Sequence, residues 1–140
     1  MDPKEILYRA RNIQRSIDRR QAEIRRLREM EVFLRATDYS AVKVRHSADR
    51  GSVEKIATSG KLSTLERVTA REVEQLAQAK MDAIALISAL PDREMQEVMW
   101  EYYIHAPRSW DAAAENLYMS RRKALYINGR ALQLLREMLH

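Results

Sequence analysis

The 140-residue sequence has no cysteine, which excludes disulfide stapling, thiol catalysis and thiolate metal sites. It has only three glycines and three prolines, so long stretches run without a chain breaker. Strand-like alternation of β-branched residues is almost missing, and Val42-Lys43-Val44 is the one short candidate. No apolar run approaches the roughly 18 residues of a membrane span. The opening Met1-Asp2-Pro3-Lys4-Glu5 lacks the apolar core of a secretory signal. These absences predict a cytoplasmic, all-α protein with no membrane partner.

What is present fits that expectation. Hydrophobic residues make up 46% and charged residues 32%, the balance of a folded chain rather than a disordered one. The formal net charge of +5 permits an anionic partner without requiring one.

The first segment reads as a single helix over about residues 3–36. Asp2 suits its cap and Pro3 its first position, and Glu5 places an acid where the helix dipole favours one. Ile6, Ala10, Ile13, Ile17, Ile24, Leu27 and Leu34 recur at heptad spacing, with Arg20 and Glu31 in the seam positions between them. A heptad stripe with two polar interruptions predicts a coiled coil of specified register. We therefore take Ile6, Ile13, Ile17, Ile24, Leu27 and Leu34 as an oligomerisation seam and expect a homodimer. The 10 Lys/Arg against 6 Asp/Glu in residues 1–36 belong mainly to the solvated side of this helix.

Residues 37–52 lose the periodicity and read as a connection. Helical spacing resumes near Ser52, with an interruption expected at Ser59-Gly60 and a capping box at Ser63-Thr64-Leu65-Glu66. From Val73 the seam continues through Leu76, Lys80, Ala83, Ile87 and Leu90, widened by Met81 and Ile84. An antiparallel hairpin and a dimeric bundle both accommodate two helices of this length. Leu90-Pro91-Asp92 ends the second one, because the residue before proline is pushed out of helical geometry. The domain boundary is placed there, giving a helical oligomerisation region over 1–90 and a second domain over 91–140.

In the second domain Asp92, Ser109 and Ser120 each stand where a helix cap is needed. They predict helices to about Ile104, from Trp110 to about Leu117, and from residue 121 onward. Counted from Trp110, Ala113, Ala114, Leu117, Met119, Ala124 and Ile127 occupy the apolar positions of a helix-turn-helix, with a small residue where its helices touch. Tyr118 stands where the turn usually has glycine, so either a side chain takes the strained backbone conformation or the turn differs. Ser120, Arg121, Arg122 and Lys123 open the last helix, with Tyr126 and Arg130 one and two turns beyond Arg122. From Met119 onward there are five Lys/Arg and one Glu. Cations at a helix start work against the dipole, and they suit phosphates and guanine edges. The expected DNA-contacting set is Ser120, Arg121, Arg122, Lys123, Tyr126 and Arg130.

Residues 90–136 resemble region 4 of the sigma-70 family, the reader of the −35 promoter element. The resemblance rests on Leu90-Pro91-Asp92-Arg93-Glu94, Tyr103-Ile104, Ser109-Trp110-Asp111-Ala112-Ala113, Ser120-Arg121-Arg122 and Ala131-Leu132. The whole chain resembles small sigma-like proteins of phages and prophages of Gram-positive bacteria, some of which, the ArpU and RinA type, are regulators of late transcription, while others have no known function. The resemblance implies double-stranded DNA and RNA polymerase as partners, and base contacts by Arg121, Arg122 and Tyr126. Region 4 often carries an acid at the position of Arg122, so the implied target sequence differs. Two other readings stand beside a sequence-specific transcription regulator: a phage DNA-packaging recognition subunit, and a helical adaptor that binds protein and not DNA.

No enzyme and no cofactor are expected. His46, His105 and His140 lack metal-ligand spacing. Gly60-Lys61 lacks the earlier glycine and the following Ser or Thr of a phosphate loop, having Lys55 and Leu62 there. The acids show no paired acid–base arrangement. Trp100, Tyr103 and Trp110 are expected in the core or at an interface.

Overall fold

The computed structural model describes the backbone of residues 2–40 and 48–139, and the side chains of 2–36 and 60–139. All secondary structure among the described residues is helical. The elements are α1 (Pro3–Ser40), α2 (Ala48–Ser88), α3 (Arg93–Met99) continuing into a π-helical segment (Trp100–His105), α4 (Trp110–Asn116) and α5 (Arg121–Met138).

Helix α1 starts at Pro3 as expected, with the Lys4 amide 3.4 Å from the Asp2 carboxylate. Of the connection expected at 37–52, residues 37–40 belong to α1 and residues 48–52 to α2. Val42-Lys43-Val44, His46 and His140 lie outside the described residues. No break falls at Ser59-Gly60, and no helix starts at Ser63. The Thr64 hydroxyl instead donates back to the Gly60 carbonyl at 2.9 Å inside a continuous helix. A glycine inside a helix costs only about 1 kcal/mol, whereas a break here would give up several consecutive backbone hydrogen bonds.

The chain forms two compact units, one of Met1–Ser16 with Glu74–His140 and one of Ile17–Val73. The start of α1 and the end of α2 fall in the first unit because they carry side chains for the C-terminal core. Leu7, Ala10, Ala79, Ala83, Ile87 and Leu90 join Met99, Tyr103, Ala113, Ala131 and Leu135 in one buried cluster. The apolar stripe of α1 is accordingly rotated at its start. Leu7 is fully buried, while Ile6 and Ile13 are half-buried. Met81, expected to widen the seam, is exposed, and Ala79 is buried.

In the unit of Ile17–Val73, the expected stripe residues Ile17, Ile24 and Leu27 are buried within the single chain. Leu34, further along, is half-buried. Arg20, the first polar interruption of the stripe, pairs with Glu72 at 2.5 Å. Arg28 pairs with Glu66 at 2.6 Å. Partners on α2 descend as those on α1 ascend, so the two stretches run antiparallel. Glu31, the second interruption, pairs with Arg35 on its own helix.

Candidate functional site

Three short polar side chains place the C-terminal helices. The Asp92 carboxylate accepts from the Glu94 amide at 2.9 Å. The Ser109 hydroxyl accepts from Ala112 at 3.2 Å and that of Ser120 from Lys123 at 3.1 Å. Each satisfies a backbone donor that a helix start leaves without a partner.

Helix α3 widens into π-helical spacing at Trp100 and ends at Ala106, whose φ of 55° is left-handed, just before Pro107. In that spacing a carbonyl pairs with the amide five residues on. For Tyr102 that residue is Pro107, which has no N–H. The Arg11 guanidinium, on α1, donates to the Tyr102 carbonyl at 2.9 Å. It also lies 3.8 Å from the centre of the Tyr102 ring, which stacks on Trp110 at 3.7 Å. Arg11 is thus a buried cation that caps one helix end and stacks on a core aromatic.

Tyr103 is fully buried and donates its hydroxyl to Asn128 Oδ1 at 2.8 Å, tying the π-helical segment to α5. Burial, with Tyr8 close by, pushes this hydroxyl far above its ordinary pKa of 10.0, so it stays a neutral donor. Trp110 packs partly against the core, and Trp100, expected in the core or an interface, is 46% exposed.

The connection from α4 to α5 resolves the question at Tyr118. The Tyr118 amide donates to the Glu115 carbonyl and the Met119 amide to the Ala114 carbonyl, the pattern of a Schellman helix end. Tyr118 takes the left-handed position itself, with φ 55°, where a residue other than glycine costs about 1–2 kcal/mol. The Asn116 amide group adds a 2.7 Å bond to Glu101, which also meets His105 at 2.8 Å. Ala113, Ala114, Ala124 and Ile127 are buried and Leu117 and Met119 half-buried, so every residue at the expected apolar spacing is at least partly covered.

The opposite side of α5 is open. Ser120, Arg121, Arg122, Lys123, Tyr126 and Arg130 are all exposed, so the structure brings all six expected residues to one accessible helix. Arg121 stands 3.6 Å from Asp111, and Lys123 stands 3.6 Å from Glu94. Both pairs are largely solvated and therefore weak. Arg122 and Arg130 have no ion pair among the described residues. The first turn of α5 has no acidic residue, although acids are what a helix start favours. Stability of the fold does not account for this arrangement of charge.

Sequence reasoning missed Arg11. Arg11 carried a readable signal, a charge four residues after Leu7 and next to Ala10 on the apolar side of α1. Among the described residues no group of His, Cys, Asp and Glu is placed to hold a metal ion, and no helix is long and apolar enough to cross a membrane. Comparison of the chain with protein-family models, curated proteins and solved structures gives no match.

Proposed function

We propose that this chain is a sequence-specific DNA-binding protein, in which α4 and α5 are the two helices of a helix-turn-helix and α5 enters the major groove. Within that class the reading is a transcription regulator with a sigma region 4-like reader, of the kind phages and prophages carry. The observation that carries it is the exposed cationic start of α5. Three consecutive cations, Arg121, Arg122 and Lys123, follow a serine cap, and Tyr126 and Arg130 continue the same accessible side. Backbone N–H groups and cations together suit phosphate, and an unpaired arginine suits the O6 and N7 atoms of guanine.

The face is complete in one chain. Ile17, Ile24 and Leu27 of the proposed oligomerisation seam are covered by their own chain, so the reading does not depend on a second copy. The antiparallel stretches of α1 and α2 are read as an intrachain coiled-coil arm. RNA polymerase as a partner is supported by the resemblance of residues 90–136 alone.

A fluorescence-anisotropy titration with random-sequence duplex DNA at several salt concentrations tests the reading. If Arg121, Arg122, Lys123 and Arg130 each neutralise one phosphate, log K falls against log salt with a slope of about −3.6. That is a loss of about a hundredfold between roughly 50 and 200 mM salt. Absence of binding at the lowest salt would overturn the proposal and favour the protein-binding adaptor.

A further inference from the structure

Gly129 stands in the middle of the 18-residue helix α5, where neither packing nor backbone conformation requires a glycine. A Cβ built at this position meets no atom within 4 Å, and the residue has no positive φ. Alanine there would favour the helix. An exposed position without a side chain lets something outside the chain come close to the helix backbone.

Its neighbours on the helix surface indicate what approaches. Arg122, Leu125, Tyr126 and Gly129 follow the spacing i, i+3, i+4, i+7, which puts them on one strip. Leu125 is 38% exposed and Tyr126 65% exposed. Arg122, and Arg130 beside Gly129, have no ion pair among the described residues. The strip is thus an apolar centre bordered by free cations. It fits an anionic surface carrying small apolar groups at its middle. Duplex DNA presents that combination in its major groove, where phosphates flank the base edges and thymine contributes a C5 methyl.

Building on the DNA-binding reading above, we propose that Leu125 and Tyr126 read thymine methyl groups, and that Gly129 is where the α5 backbone comes closest to the base edges. The target site then contains thymines opposite this strip, and shape as well as hydrogen bonding selects it. Arg122 and Arg130 hold the strip against the groove from its two ends.

The test uses the full chain and a duplex enriched by it from a random-sequence pool. Each thymine of that duplex is replaced in turn by deoxyuridine, which removes the methyl and leaves the Watson–Crick edge intact. Wild-type protein is expected to lose about fourfold in affinity for each methyl that it buries. Leu125→Ala and Tyr126→Ala are expected to abolish the response at one or more of those positions. Gly129→Ala is expected to raise Tm by a few degrees while weakening duplex binding roughly tenfold or more. That opposite movement of stability and affinity separates a close-approach position from a structural one.

An enriched duplex that binds equally well with every thymine demethylated overturns the inference and leaves the DNA-binding reading standing. So does a Gly129→Ala protein that binds as the wild type does. A pool from which no duplex is enriched overturns both.

Discussion

Replacing Arg121 and Arg122 together with alanine is expected to weaken binding of an enriched duplex about a hundredfold, the sum of two base or phosphate contacts at ~1–3 kcal/mol each. The fold should be nearly untouched. Arg121 has only a solvated pair with Asp111 at 3.6 Å, and such pairs contribute less than about 1 kcal/mol. Arg122 has no ion pair to lose among the described residues. The double variant should therefore unfold within a degree or two of the wild type. Anisotropy titrations read the affinity, and the salt slope separates the two roles. A contact to phosphate lowers the slope by about one per arginine removed, whereas a contact to a base relaxes specificity at one position. Unchanged binding by a folded double variant would remove α5 from the interface.

Arg11→Ala is expected to produce the largest loss of stability, about 3 kcal/mol. Three effects act together in this substitution. The hydrogen bond from a charged group to the Tyr102 carbonyl is lost, at ~1.5–3 kcal/mol. The cation stacked on the Tyr102 ring is lost, at up to ~2 kcal/mol when desolvated. The aliphatic stem leaves a gap beside Leu7 and Ala10. These terms overlap, so they do not add in full. Thermal unfolding should fall by roughly 10 °C. Arg11→Lys keeps the charge without the planar stack or the fork of donors, and should recover only part of the loss. Recovery to the wild-type Tm with lysine would show that charge alone matters and that the stacked geometry does not.

Arg11 also marks where the sequence was hard to read. Heptad counting put Ile6 and Ile13 on the buried side of α1, because most of that helix follows one repeat. The first turns pack instead against Tyr102 and Tyr103, more than ninety residues along the chain, and such a partner is invisible to local periodicity. The same long-range packing puts the start of α1 and the end of α2 in one compact unit with the C-terminal helices. The polar seam position at Arg20 was legible, and its partner Glu72 was not. Caps at Asp92, Ser109 and Ser120 were legible because capping is local chemistry. So was the difficulty at Tyr118, which the backbone resolves by accepting a left-handed tyrosine. Ser120 and, on α5, Arg121, Arg122, Lys123, Tyr126 and Arg130 could be placed from spacing alone, since the buried Ala124, Ile127 and Ala131 leave them no other side. Leu125 and Gly129 lie on that same side, but glycine in a helix reads as a flaw until its surroundings are seen to be empty.

The central claim is that the exposed side of α5 is the surface that meets DNA. Amide NMR mapping of the isotopically labelled full chain, titrated with duplex DNA at low salt, tests it most directly. The account predicts the largest perturbations at Ser120–Arg130, smaller ones at the start of α4, and little change across Ile17–Val73. Perturbations centred on the arginines of α1, or none at any residue, would contradict it.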